Sequence, residues 1–432
     1  MSYKFNPYLS VGIDVGADFS MMSIALPNQQ LLGKPFKIIH NRLDSLSSAV
    51  SRIKKAEELN SLKARIFLES TGIYHFPLFC YLKEAGFDVF VINPLISNSS
   101  RNLNIRKVHN DKFDSKKAAL LGLNPNLKVS LIPTDLVLNL RNLTREYFNL
   151  VDSRSAYVNK LLGQLRQAFP QFLGIFSKVT GKTSLMILQE YTTPQNILSA
   201  NKEKLIASIA KISRKGISTA TKKYEKLTKA AREASVFGHA VDSNFYLIQH
   251  YIGFIQKYDA EINHLLEQMH QFVDTHEDEP FVKQIHLIES FKVAGFLSAV
   301  TLMCEIGDFS AFQKPKQLYA YFGLDPEVKQ SGNFNGTNVK ISKRGSRLAR
   351  RTIFTMALQS ISRDRKGRDT NPVLRSYYLK KCQSKPKMVA LGAVMHKVCN
   401  IIFAILRDNK PFEIRTPEEH CLKYTKFKLQ AA

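Results

Sequence analysis

The chain has 432 residues, more than one hydrophobic core usually supports, so two or three domains are expected. Its apolar share of 44% and charged share of 23% are those of ordinary globular material. Lys and Arg outnumber Asp and Glu by 62 to 36, a net charge of +26, which implies a nucleic-acid partner; the alternatives are charge kept for solubility or for an anionic membrane surface.

The opening MSYKFNPYLS has no apolar core region of the signal-peptide kind, so secretion is not expected. From Ser10 to about Leu123, short β-like runs alternate with helical ones. SVGIDVG and MMSIALP read as strands joined by a short turn, and LLGKPFKIIH as a third strand. LDSLSSAVSRIKKAEEL has helical spacing, RIFLES is a strand, YHFPLFCYLKEAG is a helix ending at Gly86, and DVFVIN is another strand. That order predicts a mixed sheet with helices packed on it, as in a ribonuclease-H-like fold.

From about Leu138 the pattern changes to long helices. Leu140, Leu143, Tyr147, Leu150, Arg154, Val158, Leu161 and Leu165 recur at helical spacing until Pro170, and Ile248, Ile252, Ile255, Tyr258, Ile262, Leu265 and Met269 repeat the pattern. Each has the seam of a coiled coil or of a two-helix hairpin. Between them lies a Lys-rich stretch, read as a helical insert that either contacts nucleic acid or presents a solvated face. GKTS at Gly181–Ser184 resembles the end of a phosphate-binding loop, but Gly174 is two residues too far away and no strand leads in. The third region, from about Phe281 to Phe412, is mostly helical with a Gly- and Asn-rich excursion from Gly323 to Gly345. MVALGAVMHKVCNIIFAIL carries His396 and Lys397 in its middle, which a bilayer would penalise, so it reads as a buried helix and no membrane is expected. Cys80, Cys304, Cys382, Cys399 and Cys421 are scattered without CxxC spacing, which predicts neither disulfides nor a zinc site and points to a reducing cytoplasm.

Four carboxylates stand out. Asp14 lies in a strand flanked by Ile13 and Val15, Glu69 ends RIFLES, and Asp111 and Asp114 are three apart on one helical face. Together they form the oxygen-rich set that Mg²⁺ favours, able to hold two ions ~3.5–4 Å apart for phosphoryl transfer. The plainer alternative is that Asp111 caps its helix and Asp114 pairs with Lys112 or Lys117.

GIDVG, FLESTGIYHFPLFCYLKEAG, VINP, DKFDSKKAALLG, CEIGDFSAFQKPKQLYAYFGLDP, QSGNFNG, ISKRGSRLARR and KMVALGAVMHKV together resemble the DEDD-type insertion-sequence transposases related to the Piv DNA invertases. The resemblance spans both ends of the chain in order. It implies a RuvC-like nuclease domain, a helical or coiled-coil middle, and a C-terminal transposase domain with a nucleophilic serine. Asp14, Glu69, Asp111 and Asp114 match the family's acidic tetrad, and Ser331 matches its serine. Donor and target DNA, a structured guide RNA encoded by the element, Mg²⁺, and a homo-oligomer, dimer or tetramer, whose subunits share the composite site are implied likewise.

Ser331 precedes Gly332 in a loop of little bulk, where a phosphate can approach closely. A serine hydroxyl needs a base or metal for activation, and the acids nearest in sequence, Asp325 and Glu327, suit the task less well than the tetrad. An ordinary turn serine is the alternative, and Ser342 is the rival, read as the cap of the helix before Arg347. Lys340, Lys343, Arg344, Arg347, Arg350 and Arg351 form a cationic tract suited to clamping phosphates, with Arg347, Arg350 and Arg351 on a shared face, unless the tract is simply solvated. YAYFG is expected to pack into core. FKVAGF departs from the family's PGIG-like hairpin by having Val293 where a glycine would lie, which weakens hairpin-type DNA binding.

The expected divisions are 8–130 (RuvC-like), 131–278 (helical with a basic insert), 279–415 (serine transposase domain) and 416–432 (basic tail). A water-using nuclease, needing the tetrad without Ser331, and a non-catalytic nucleic-acid scaffold are the competing readings.

Overall fold

The apolar run that carries Asp14 forms a strand, and the sheet around it organises the first of two compact units, Met1–Pro133; Thr134–Ala432 is the second. This computed structural model describes residues 7–69, 74–92, 110–127, 129–130, 133–234, 236–237, 239–327, 330–331, 334–335 and 340–422.

In the first unit, β1 (Leu9–Val15), β2 (Phe19–Ala25) and β3 (Phe36–Ile39) are antiparallel neighbours. Helix α1 (Leu43–Asn60) leads to β4 (Ala64–Glu69), parallel to β1, and α2 (His75–Glu84) leads to β5 (Asp88–Ile92), parallel to β4. After α3 (Asp111–Gly122) a short β6 (Val129–Ser130) closes the order β3-β2-β1-β4-β5-β6. The expected mixed sheet is therefore present.

Alternation along β1 sends Leu9, Val11, Ile13 and Val15 into a core with Ile53 of α1 and Leu78 and Leu82 of α2. Ser10, Gly12 and Asp14 belong to the opposite face, on which α3 lies. Gly12 makes that contact backbone to backbone: a Cβ there would stand 1.9 Å from the Ala119 nitrogen and 2.5 Å from the Ser115 carbonyl oxygen. Gly122 is equally close, since its Cβ would meet the Phe67 ring at 2.3 Å and Ser10 Oγ at 2.4 Å. Polar groups trapped by this approach are paired, as burial requires. Tyr8 Oη donates to the Gly122 carbonyl at 2.7 Å, Ser10 Oγ to that of Ala119 at 2.6 Å, and the Ser23 and Ser115 hydroxyls meet at 2.9 Å.

The second unit is helical. Its spine is α4 (Asp135–Ala168), a rod about 50 Å long. Four helices follow, α5 (Lys182–Glu190), α6 (Pro194–Leu198), α7 (Lys202–Ser213) and α8 (Gly216–Ala234), before the second rod, α9 (Asp242–Asp274). Arg154 grips Asp259 through two bonds of 2.6 and 3.0 Å, and Gln164 accepts from Asn244 at 2.7 Å. Partner numbers fall along α9 as they rise along α4, so the rods run antiparallel. These contacts make a two-helix pair within one chain; they do not establish a coiled coil.

Opposite ends of the pair serve different cores. Leu161 and Leu165 of α4 and Ile248 and Ile252 of α9 pack with the intervening helices. Leu136, Leu140, Met269 and Val273 instead join the C-terminal helices α10 (Pro280–Glu289), α11 (Phe296–Ile306), α12 (Pro315–Tyr321), α13 (Arg347–Ser360), α14 (Pro372–Cys382) and α15 (Lys387–Asp408). Among the described residues α15 is the one helix long and apolar enough to cross a membrane. Its Leu391, Val394, Val398, Ile402 and Phe403 are buried in that core, as the sequence predicts. Val293 is buried there too, between α10 and α11.

Because α3 rests on the Gly12 backbone, Gly12→Val should lift the helix and lower stability by about 3 kcal/mol. Urea unfolding of the full chain checks this; an unchanged midpoint would refute the close-approach role.

Candidate active site

Strand register assembles the carboxylates. Ile13 of β1 is paired with Leu68 of β4, so Asp14 and Glu69 each lie one residue beyond, at the C-terminal ends of adjacent parallel strands. Asp14 is half-buried, and Glu69 is buried, with 8% of its surface exposed. The succession of contacts from Gly122 by Tyr8, through Ala119 by Ser10, to Ser115 by Gly12 runs α3 back along β1. Its first turn, with Asp111 and Asp114, therefore comes to the strand end that carries Asp14 and Glu69.

Asn110 caps this helix, accepting from the Lys112 N–H at 3.0 Å, so Asp111 is not the cap. Asp111 is exposed and Asp114 half-buried, both in the first turn, where the helix dipole favours negative charge. The donor set is all oxygen and matches a hard divalent cation in kind. Among the described residues, however, no three His, Cys, Asp or Glu side chains are grouped so as to hold a metal ion. The sheet end thus gathers the acids without closing them into a ligand shell. Ser70–Gly72, which follow Glu69, lie outside the described residues.

In the second unit the described residues of the Gly- and Asn-rich excursion form a two-stranded ribbon. Its foot is laddered: the Lys343 N–H donates to the Gly323 carbonyl at 3.0 Å, Ser342 to Asp325 at 2.7 Å, and Glu327 to Lys340 at 2.8 Å. Beyond it β7 (Gln330–Ser331) pairs antiparallel with β8 (Phe334–Asn335), setting Ser331 opposite Phe334 with two residues between them. Ser331 is thus at the far end of the ribbon; its side chain lies outside the described residues.

Ser342 does not cap the following helix. Its hydroxyl donates to Asp325 Oδ1 at 2.6 Å within the ribbon foot, while Ser346 accepts from the Ala349 N–H and starts α13. Two glycines permit the tight foot: at Gly323 (φ +66°) a Cβ would stand 2.5 Å from the Arg344 nitrogen, and at Gly345 (φ +152°) 2.1 Å from the Tyr321 carbonyl oxygen.

The cationic tract splits by orientation. Lys340, Lys343, Arg344 and Arg347 are exposed. Arg350 turns inward, its Nη1 lying 3.0, 3.2 and 2.9 Å from the carbonyls of Phe322, Lys343 and Gly345, which makes it a clamp on the ribbon foot. Arg351 binds Asp152 of α4 at 2.7 Å and covers the Phe148 ring, and Arg347 reaches the same carboxylate at 3.4 Å. The expected shared face therefore holds for Arg347 and Arg351 but not for Arg350. YAYFG packs inward only in part: Phe322 is fully buried and burial pushes the Tyr319 phenol up to about 12, whereas Tyr321 stays 46% exposed with its hydroxyl donating to the Glu305 carbonyl at 3.2 Å.

These two regions are the parts of the chain that known proteins share. An IS110-type DEDD model described as "Transposase" matches residues 11–170, and the model "Transposase IS116/IS110/IS902 family" matches 285–378; together they cover more than half of the chain. The chain belongs to the IS116/IS110/IS902 transposase family. An uncharacterised 43.6 kDa protein of insertion element IS110 from Streptomyces coelicolor is 28% identical over 37% of this chain and 34% of that protein. The pilin gene-inverting protein of Moraxella bovis is 32% identical over 27% of this chain and 35% of its own length, as is that of Moraxella lacunata. The transposase-family chain thus spans about a third of the length of the curated relatives it matches. Among solved structures, T. thermophilus RuvC in complex with a Holliday junction substrate is similar at 11% identity over 26% of this chain and 90% of that one; the TM-score of 0.20 is too low to support any inference.

In this transposase-family chain, sequence patterns gave no warning of the Asp152 and Asp325 contacts, because the partners are distant in sequence. Gly12 could have been suspected from the small residues Ser10 and Gly12 that alternate with apolar ones ahead of Asp14. Arg350→Ala should free the ribbon foot, costing about 2 kcal/mol and speeding proteolysis between residues 323 and 345, whereas exposed Arg344→Ala should cost less than about 0.5 kcal/mol. Equal proteolysis rates for the two variants would dismiss the clamp.

Proposed function

We propose that this chain is a DNA recombinase that moves an insertion element, cutting and rejoining DNA through a phosphoserine link at Ser331. The observation that carries the reading is the gathering of Asp14, Glu69 and the first turn of α3 at one sheet end, in a family member whose second matched region carries a serine at the end of a ribbon. Ser331 Oγ attacks the phosphorus, one deoxyribose oxygen leaves as a hydroxyl carrying the displaced proton, and the phosphodiester energy is retained in the serine ester for rejoining. Lys340, Lys343, Arg344 and Arg347 hold the backbone phosphates, and Arg350 and Arg351 position the ribbon and the helix that present them.

Asp14, Glu69, Asp111 and Asp114 are the residues that would hold Mg²⁺, which when bound supplies positive charge against the reacting phosphate. The proposed partners are donor and target DNA, a structured RNA encoded by the element, and further copies of the chain. A homo-oligomer, dimer or tetramer, belongs to the proposal on the strength of the family resemblance.

Ser331→Ala should abolish covalent protein–DNA adducts and lower strand exchange on the order of a thousandfold or more. Asp14→Asn, or chelation of Mg²⁺, should do the same, with activity returning on Mg²⁺ addition in the chelated case. A Ser331→Ala protein that still cleaves DNA without exchanging it would favour the water-using nuclease; one that recombines normally would falsify the serine mechanism.

A further inference from the structure

The N-terminal half of α9 lies within residues 171–284, outside both family-matched regions. Three of its sides are occupied. Ile248, Ile252 and Ile255 enter the core, Tyr157 of α4 stacks on Phe254 with ring centres 4.6 Å apart, and Gln249 donates to Thr192 at 2.7 Å and Gln256 to Gln189 at 3.0 Å. Asp242, Tyr246, Gly253 and Lys257, at i, i+4, i+11 and i+15, share the remaining side and are exposed.

That side has the marks of a contact surface. Val236, Phe237 and Tyr246 are 90%, 75% and 67% exposed, a concentration of apolar surface that single chains seldom leave in water. The first two stay close to the line of the helix: the His239 N–H donates to the Gln167 carbonyl and Gln171 to that of Phe237, so the segment before Asp242 follows the end of α4. Gly253 weakens the helix interior relative to alanine, yet a Cβ there would meet nothing within 4 Å. Among the described residues nothing uses its bareness, whereas a close approach from outside would. Asp242 and Lys257 likewise have no ion-pair partner among the described residues.

We infer that this side of α9 pairs antiparallel with the same side of a second copy of the chain, about a two-fold axis beside Gln249 and His250. The register follows from position along the helix. Tyr246 and Gly253 have the same midpoint as Asp242 and Lys257, so one axis seats each copy's Tyr246 in the other's Gly253 notch and sets each Asp242 against the other's Lys257. Knob and notch, acid and base, are thus complementary to themselves, which binding an unrelated protein would not require. A lipid surface would meet the charges of Asp242 and Glu261 beside the apolar groups. The recombinase reading calls for further copies of the chain without assigning them a surface, and the inference goes beyond it by naming one.

The test is cross-linking and sedimentation of the full chain in the absence of DNA. Lys257 lies about 22 Å along α9 from Asp242, too far for a zero-length link within one chain. A carbodiimide should therefore join Asp242 to Lys257 between copies, seen as light-to-heavy linked peptides when isotopically light and heavy protein are mixed. Sedimentation should show a dimer whose Kd rises about tenfold or more in Gly253→Trp and in Asp242→Lys, through a filled notch and like charges face to face. Asp242→Lys/Lys257→Asp should restore it, a recovery that misfolding cannot imitate. Absence of the light-to-heavy link, or a dimer indifferent to both single variants, would overturn the inference; if the chain still self-associates, the oligomer of the recombinase reading stands on other contacts. Binding to phospholipid vesicles in place of the link would overturn it too. A dimer that links as expected but exchanges no DNA would uphold this inference and count against the recombinase reading alone.

Discussion

The contact of α3 with the bare backbone of Gly12 is the constraint on which the arrangement of acids in the first unit depends. With a Cβ that would fall 1.9 Å from the Ala119 nitrogen, no side chain can stand between helix and strand at that point. The helix therefore lies on the sheet at the shortest distance the backbones allow. Tyr8, Ser10, Ser23 and Ser115 satisfy the polar groups enclosed by this approach, which makes it tolerable in a buried setting. The consequence appears one turn further on, where Asp111 and Asp114 arrive beside the ends of β1 and β4. Acids on three separate elements share a neighbourhood because a glycine lets two of those elements touch.

The second unit carries a different constraint, a narrow ribbon whose own strands, β7 and β8, are only two residues long. Isolated two-stranded ribbons are marginal in water. Here the foot carries the load: Gly323 and Gly345 allow the strands to press against Tyr321 and Arg344, Ser342 bonds to Asp325, and Arg350 draws three carbonyls together. The helix that provides Arg350 is itself tied to α4, because Asp152 holds Arg347 and Arg351. A line of support thus runs from the long helix pair through α13 to the ribbon.

Density of positive charge along the chain is a poor measure of charge available to a ligand. In the tract from Lys340 to Arg351, the guanidinium of Arg350 is engaged by backbone and that of Arg351 by a carboxylate and a ring, while Lys340, Lys343 and Arg344 are exposed. Along α8 the division repeats, with Lys223 turned in and its neighbours turned out. Net charge sets the class of partner; orientation sets which residues meet it.

Periodicity by itself determined most of the elements, since a period of two or 3.6 in apolar residues records which face must leave water. The mixed sheet, the two long helices, the buried α15 and the placement of Asp14 and Glu69 in strands and of Asp111 and Asp114 on a helix follow from that rule. The proposed link between Ser331 and the acids is what the family resemblance implies, and no local pattern contains it. Tertiary structure alone decided the rest: Ser346 rather than Ser342 caps α13, Asn110 rather than Asp111 caps α3, and the two amphipathic rods pair with each other inside one chain. It also decided that Arg350 serves the fold. Each depends on a partner distant in sequence or on a choice among neighbouring polar residues of equal local merit, and chain order carries no distance until the chain has packed.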